Sequence, residues 1–129
     1  MKGKILLIED NEQNRYLTTF LLEKHDYEVI SASDGEQGIE LANRLPPHLI
    51  LLDIQLPSMD GYAVARELRN NPALKGIPIV AVTSYAMSGD REKTIAAGCN
   101  GYVEKPINPE TFVTEIEHYL EEAQRENNS

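Results

Sequence analysis

Five short apolar runs alternate with five stretches of helical periodicity, and this alternation restricts the fold more than any other feature. The runs are "KILLIE" (Lys4–Glu9), "YEVISA" (Tyr27–Ala32), "HLILLD" (His48–Asp53), "IPIVAVT" (Ile77–Thr83) and "GYVEK" (Gly101–Lys105). The third is continuously apolar, as a strand covered on both faces should be. The second alternates, as expected near a sheet edge. Pro78 sits near the start of the fourth, where proline is tolerated. The intervening segments carry helix signals. Asn11 can cap a helix in which Tyr16, Leu17, Phe20, Leu21 and Lys24 share a face. Ser33–Leu45 is a capped helix stopped by Pro46 and Pro47, Gly61–Asn70 is amphipathic, and Ser88–Gly98 is short and polar. Asn108–Ala123 opens with Asn at the cap and Pro109 at the first helical position. It sets Phe112, Ile116, Tyr119 and Leu120 on one face. Strands alternating with helices imply an α/β sandwich of three layers, with a parallel sheet and right-handed crossovers. Tyr16, Phe20 and Phe112 are expected in the core, and Cys99 packs as a small hydrophobe. The short loops leave one domain, 1–123, and a polar tail, 124–129, expected to fray.

Composition removes several function classes. The 129 residues carry a formal net charge of −9 and a sequence pI near 4.7. A nucleic-acid backbone selects for clustered Lys and Arg, and no such run is present. One cysteine cannot form an internal disulfide, which suits a reducing compartment. The apolar run in "MKGKILLIED" is too short for a secretory signal, and no segment approaches the ~20 apolar residues of a membrane span. A cytoplasmic protein that engages neither nucleic acid nor membrane is expected.

Chemistry-bearing residues gather at strand ends. The first strand ends in Glu9 and Asp10, the third in Asp53, the fourth in Thr83 and the fifth in Lys105. In an open parallel sheet ligands bind outside the carboxyl ends of the strands. Three carboxylates converging there repel one another, and a divalent cation relieves the repulsion. Mg²⁺ prefers hard oxygen ligands and pairs with phosphates. The Thr83 hydroxyl and Lys105 ammonium suit phosphoryl oxygens. Taken singly, each residue also has a plainer role, such as a helix cap for Glu9 and Asp10 or half-buried packing for Tyr102. His25, His48 and His118 show no metal-ligand spacing.

Order and spacing together resemble a response-regulator receiver domain over nearly the whole chain. The residues carrying the resemblance are "IEDN" with Glu9 and Asp10, "LLDIQLPSMDG" with Asp53, Pro57, Asp60 and Gly61, "VAVTSYA" with Thr83, and "GYVEKPI" with Tyr102, Lys105 and Pro106. "DIQLP" and "AMSGDREKTIAAGCNGYVEKPI" are most similar to stand-alone cell-cycle-type regulators and to receiver domains of hybrid histidine kinases. The resemblance implies a flavodoxin-like (βα)5 fold with strand order 2-1-3-4-5. It implies that Asp53 takes a phosphoryl group from a phosphohistidine. Glu9, Asp10, Asp53 and the Gln55 carbonyl would hold Mg²⁺, with Glu9 acting through a water. Thr83 and Lys105 would hold phosphoryl oxygens, Tyr102 would switch with Thr83, and the Lys105–Pro106 bond would be cis.

Rival classes fit less well. "EDNEQNR" after the first strand would repel a flavin phosphate. An aspartate-nucleophile phosphatase needs an acid two residues past its nucleophile, where this chain has Gln55. A degenerate receiver would lack an acid or the lysine. The expectation is a phospho-acceptor switch, a monomer or weak dimer, that catalyses only its own phosphorylation and dephosphorylation. Its partners would be a histidine kinase or histidine phosphotransfer protein and a downstream protein target. Met1 and the polar tail favour a free-standing regulator over a receiver cut from a hybrid histidine kinase. Bulky Tyr85 and uncharged Gln55 beside the site point to slow self-dephosphorylation. The face built from the Ser88–Gly98 helix, the fifth strand and the Asn108–Ala123 helix is the expected output surface.

Overall fold

The computed structural model describes residues 2–56, 59–84 and 88–127, and the side chains at 88–90 are not described. Pro57 and Tyr85, both part of the sequence expectations, lie outside these residues. The chain runs β1 (Gly3–Ile8), α1 (Glu12–Lys24), β2 (Tyr27–Ala32), α2 (Gly35–Arg44), β3 (Leu49–Asp53) and α3 (Gly61–Arg69). A 3₁₀ turn (Pro72–Leu74), β4 (Ile79–Thr83), α4 (Ser88–Ala96), β5 (Gly101–Glu104) and α5 (Phe112–Asn127) follow. The five strands are parallel in the order β2-β1-β3-β4-β5, the order implied by the resemblance.

Every residue of β3 and of β4 is buried, because helices cover both sheet faces. One apolar cluster fills the side of Ile50, Leu52, Val64 and Leu68, and another the side of Leu22, Leu51, Val80 and Phe112. Asn11, Asp34 and Asp60 cap α1, α2 and α3, each accepting a bond from a backbone amide three residues on. Gly98 adopts φ +104°, a left-handed turn between α4 and β5 that suits glycine.

Two expectations fail at helices. Tyr16 and Phe20 are not core: they are 75% and 52% exposed. The buried stripe of α1 is Thr18, Leu21 and Leu22. That stripe also has helical spacing, but polar Thr18 weakens its apolar signal. The last helix begins at Phe112 rather than Asn108. The Asn108 Oδ1 accepts from the Glu110 amide (3.0 Å), which makes a side-chain turn ahead of the helix. Its other end reaches Asn127, past the expected fraying point at Ala123, where the Asn127 Nδ2 donates to the Gly76 carbonyl (3.2 Å).

Candidate functional site

Parallel register brings the strand ends to one edge. Ile8 pairs with Leu52, so Glu9 and Asp10 leave β1 beside Asp53. Asp53 pairs with Val82, and Thr83 with Glu104, so Thr83 and Lys105 follow on the same edge. The Lys105 amide donates to the Thr83 carbonyl (2.8 Å), continuing the ladder by one bond. The Lys105–Pro106 peptide is cis. Gly61 lets the start of α3 press on the end of β3: a methyl group there would meet the Ile54 Cα and, at 2.8 Å, the Asp53 carbonyl oxygen.

The side chains converge as the strand ends predicted. Glu9, Asp10 and Asp53 each offer an oxygen within 4.8 Å of the others. Glu9 and Asp53 are buried and Asp10 is exposed, so the cluster is open to solvent on one side. The Lys105 Nζ lies 3.2 Å from Asp53 Oδ1 and 3.5 Å from Glu9 Oε1. The Gln55 amide donates to Asp53 Oδ1 (2.9 Å), and the Asn11 amide donates to Glu9 Oε2 (3.2 Å). Thr83 is buried at the end of β4. Tyr102 is half-buried on β5 and packs against one of the apolar clusters. It is not in the acidic cluster.

Two contacts escaped sequence reasoning. The Ser84 Oγ donates to Gln55 Oε1 (2.7 Å), bridging the loops after β4 and β3. The Arg15 Nη1 donates to the carbonyls of Glu9 (2.8 Å) and Asp10 (3.1 Å). Only the location of Ser84 next to Thr83 hinted at the first. Helical spacing places Arg15 one turn past Asn11, on the side of the acidic loop, which is the one signal for the second.

Electrostatics divide the two buried acids. Burial, with the hydrogen bond and charge of Asp53, pushes the Glu9 carboxyl up to about 7. Burial also acts to raise Asp53. The hydrogen bond with Glu9, the Gln55 amide and Lys105 outweigh it and hold Asp53 below its usual range. Without a cation, a proton therefore resides on Glu9 up to near neutrality. Hard oxygen donors that retain a proton for want of countercharge fit a divalent cation such as Mg²⁺.

The raised Glu9 carboxyl contributes stability that is fully present below its unfolded value of 4.5 and is lost as pH rises through about 7. The Asp53 contribution runs oppositely and is lost only as pH falls below 3.8. Denaturant midpoints in EDTA should therefore fall between pH 4.5 and pH 7. Glu9→Gln should flatten that fall, and an unchanged slope in the variant would contradict the assignment.

Comparison with known proteins agrees with this geometry. The family model described as "Response regulator receiver domain" matches residues 5–117. The polar-differentiation response regulator DivK of Brucella anthropi is 40% identical over 123 residues, covering 95% of this chain and 100% of that one. The receiver domain of a sensor histidine kinase from Pseudomonas aeruginosa, solved with a magnesium ion coordinated in its active site cleft, is 34% identical. It superposes with a TM-score of 0.85 over 93% of this chain and 98% of the other. The chemotaxis protein CheY4 of Vibrio cholerae is 26% identical with a TM-score of 0.88, over 92% of this chain and 99% of that one. An acidic cluster at the β1 and β3 ends, on a five-stranded parallel sheet of this order, with the family model spanning 5–117, leaves one conclusion: the chain belongs to the response-regulator receiver domain family.

Proposed function

We propose that the chain is a phospho-acceptor switch whose Asp53 takes a phosphoryl group from a phosphohistidine. The observation that carries this is the convergence of Glu9, Asp10 and Asp53 within 4.8 Å, with the Lys105 ammonium 3.2 Å from Asp53. Receiver domains interact with histidine kinases or phosphotransfer proteins, and this chain carries the residues for such an exchange. The low-lying Asp53 carboxyl stays ionised at neutral pH and is the nucleophile. Its bond to phosphorus forms as the donor's phosphorus–nitrogen bond breaks, and the imidazole leaves with the electron pair. Lys105, paired with Asp53, and Thr83, one residue past Val82, the β4 partner of Asp53, would receive the phosphoryl oxygens. Glu9, Asp10, Asp53 and the Gln55 carbonyl would hold Mg²⁺. When bound, the cation neutralises charge on the acids and phosphoryl oxygens, which is most of what catalysis of phosphoryl transfer requires. No acid stands where a phosphatase needs one: the position holds Gln55, and its side chain accepts from Ser84. External esters are therefore not substrates, and activity is confined to the chain's own phosphorylation and dephosphorylation.

The output follows from the same edge of the sheet. Thr83 leads β4 into the loop before α4, and Tyr102 stands on the neighbouring β5. A groove of about 400 Å³ lined by Tyr102, Thr114, Glu115, His118 and Tyr119 runs between β5 and α5. Movement of Thr83 toward a phosphoryl group frees space for Tyr102 and reshapes the α4–β5–α5 face, a two-state element biased by a local charge. A protein reader docks there. A chain with a net charge of −9 gains little from a nucleic-acid backbone.

Hydrogen exchange with magnesium, with and without beryllofluoride, tests both parts. Protection should rise at the loops after β1 and β3 and change across Ser84–Lys105. Changes confined to those two loops would contradict the output surface. No change anywhere would contradict phosphoryl acceptance.

A further inference from the structure

Arg15 is misplaced by helix rules. It stands near the start of α1, where a cation opposes the positive end of the helix dipole. Among the described residues, no ion pair to a carboxylate accounts for it. Its guanidinium is committed to main chain instead: Nη1 donates to the Glu9 carbonyl (2.8 Å) and to the Asp10 carbonyl (3.1 Å).

Those carbonyls belong to the peptide planes on either side of the Asp10 Cα. Holding both planes leaves the Asp10 backbone one orientation, and with it one direction for its Cα–Cβ bond. Asp10 needs this more than its neighbours do. Glu9 is held by the Asn11 amide and Lys105, and Asp53 by the Gln55 amide and Lys105. Asp10 is exposed, and among the described residues no hydrogen bond or ion pair of its side chain fixes its direction.

We infer that Arg15 is a positioning residue. By clamping the Glu9 and Asp10 carbonyls it aims the Asp10 carboxylate into the acidic cluster, and so supports binding of a divalent cation there. This rests on the reading that Glu9, Asp10 and Asp53 hold that cation. Simple electrostatics predicts the opposite sign, since removing a positive charge near a cation site should tighten binding. Partners that orient a metal ligand typically change affinity by 10–100-fold when removed.

The test is calorimetric titration of Mg²⁺ into the full chain, with melting in EDTA as the check on folding. Arg15→Met should bind Mg²⁺ about tenfold more weakly than the wild type. Arg15→Lys keeps the charge but loses the fork, and should fall between the two. Folded Arg15→Met that binds equally or more tightly would overturn the inference alone. If Arg15→Met does not fold, Arg15→Lys with wild-type affinity overturns it instead. A wild-type chain that binds no Mg²⁺ overturns the cation site and the inference together.

Discussion

Asp53→Asn is expected to reduce phosphate incorporation from acetyl phosphate or a phosphohistidine donor from one group per chain to none. The amide is nearly the same size as the carboxylate but has no anionic oxygen to attack phosphorus. Its oxygen can still accept from the Gln55 amide, now 2.9 Å from Asp53 Oδ1. Lys105 keeps Glu9 as a partner at 3.5 Å. The fold should therefore survive, with its melting temperature within a few degrees of wild type, while intact-mass spectra show no phosphoryl adduct. Adduct at full stoichiometry in the variant would move the acceptor elsewhere.

Phe112→Ala should cost about 3–5 kcal/mol, while Phe20→Ala should change stability by about 0.5 kcal/mol or less. Phe112 is fully buried at the start of α5, against the apolar side chains of β1, β3 and β4. Losing the ring leaves a cavity in a close-packed layer. Phe20 is 52% exposed on α1 and leaves no comparable void. Urea titrations of the two variants measure the difference directly. Equal losses would mean that the α1 stripe has been assigned to the wrong face.

That contrast marks where the sequence was legible. β3 could be read because covering on both faces demands an unbroken apolar run, and "LILL" ahead of Asp53 is one. The site could be read because parallel topology forces strand ends together, whatever the helices do. Glu9, Asp10, Asp53 and Lys105 converge for that reason. The inward face of α1 could not be read, since two stripes share Leu21 and the buried one contains Thr18. Packing against β2 chose between them, and periodicity carries no information about that choice. The 3₁₀ turn at Pro72–Leu74 was missed although Asn71 caps it through the Ala73 amide (3.0 Å), because a three-residue element has no period to detect. Arg15 and Ser84 act on two backbone carbonyls and a distant loop, contacts that exist only once the chain has folded.

The most direct test of the central claim is to locate the phosphoryl group itself. An acyl phosphate is reduced by borohydride to an alcohol, so a phosphorylated aspartate becomes homoserine. The chain should be treated with a phosphohistidine donor and magnesium, reduced, digested and sequenced by mass spectrometry. The account predicts homoserine at position 53 and intact aspartate at Asp10 and Asp60. Homoserine at another acid, or phosphate that survives on histidine or serine with Asp53 unreduced, would contradict it.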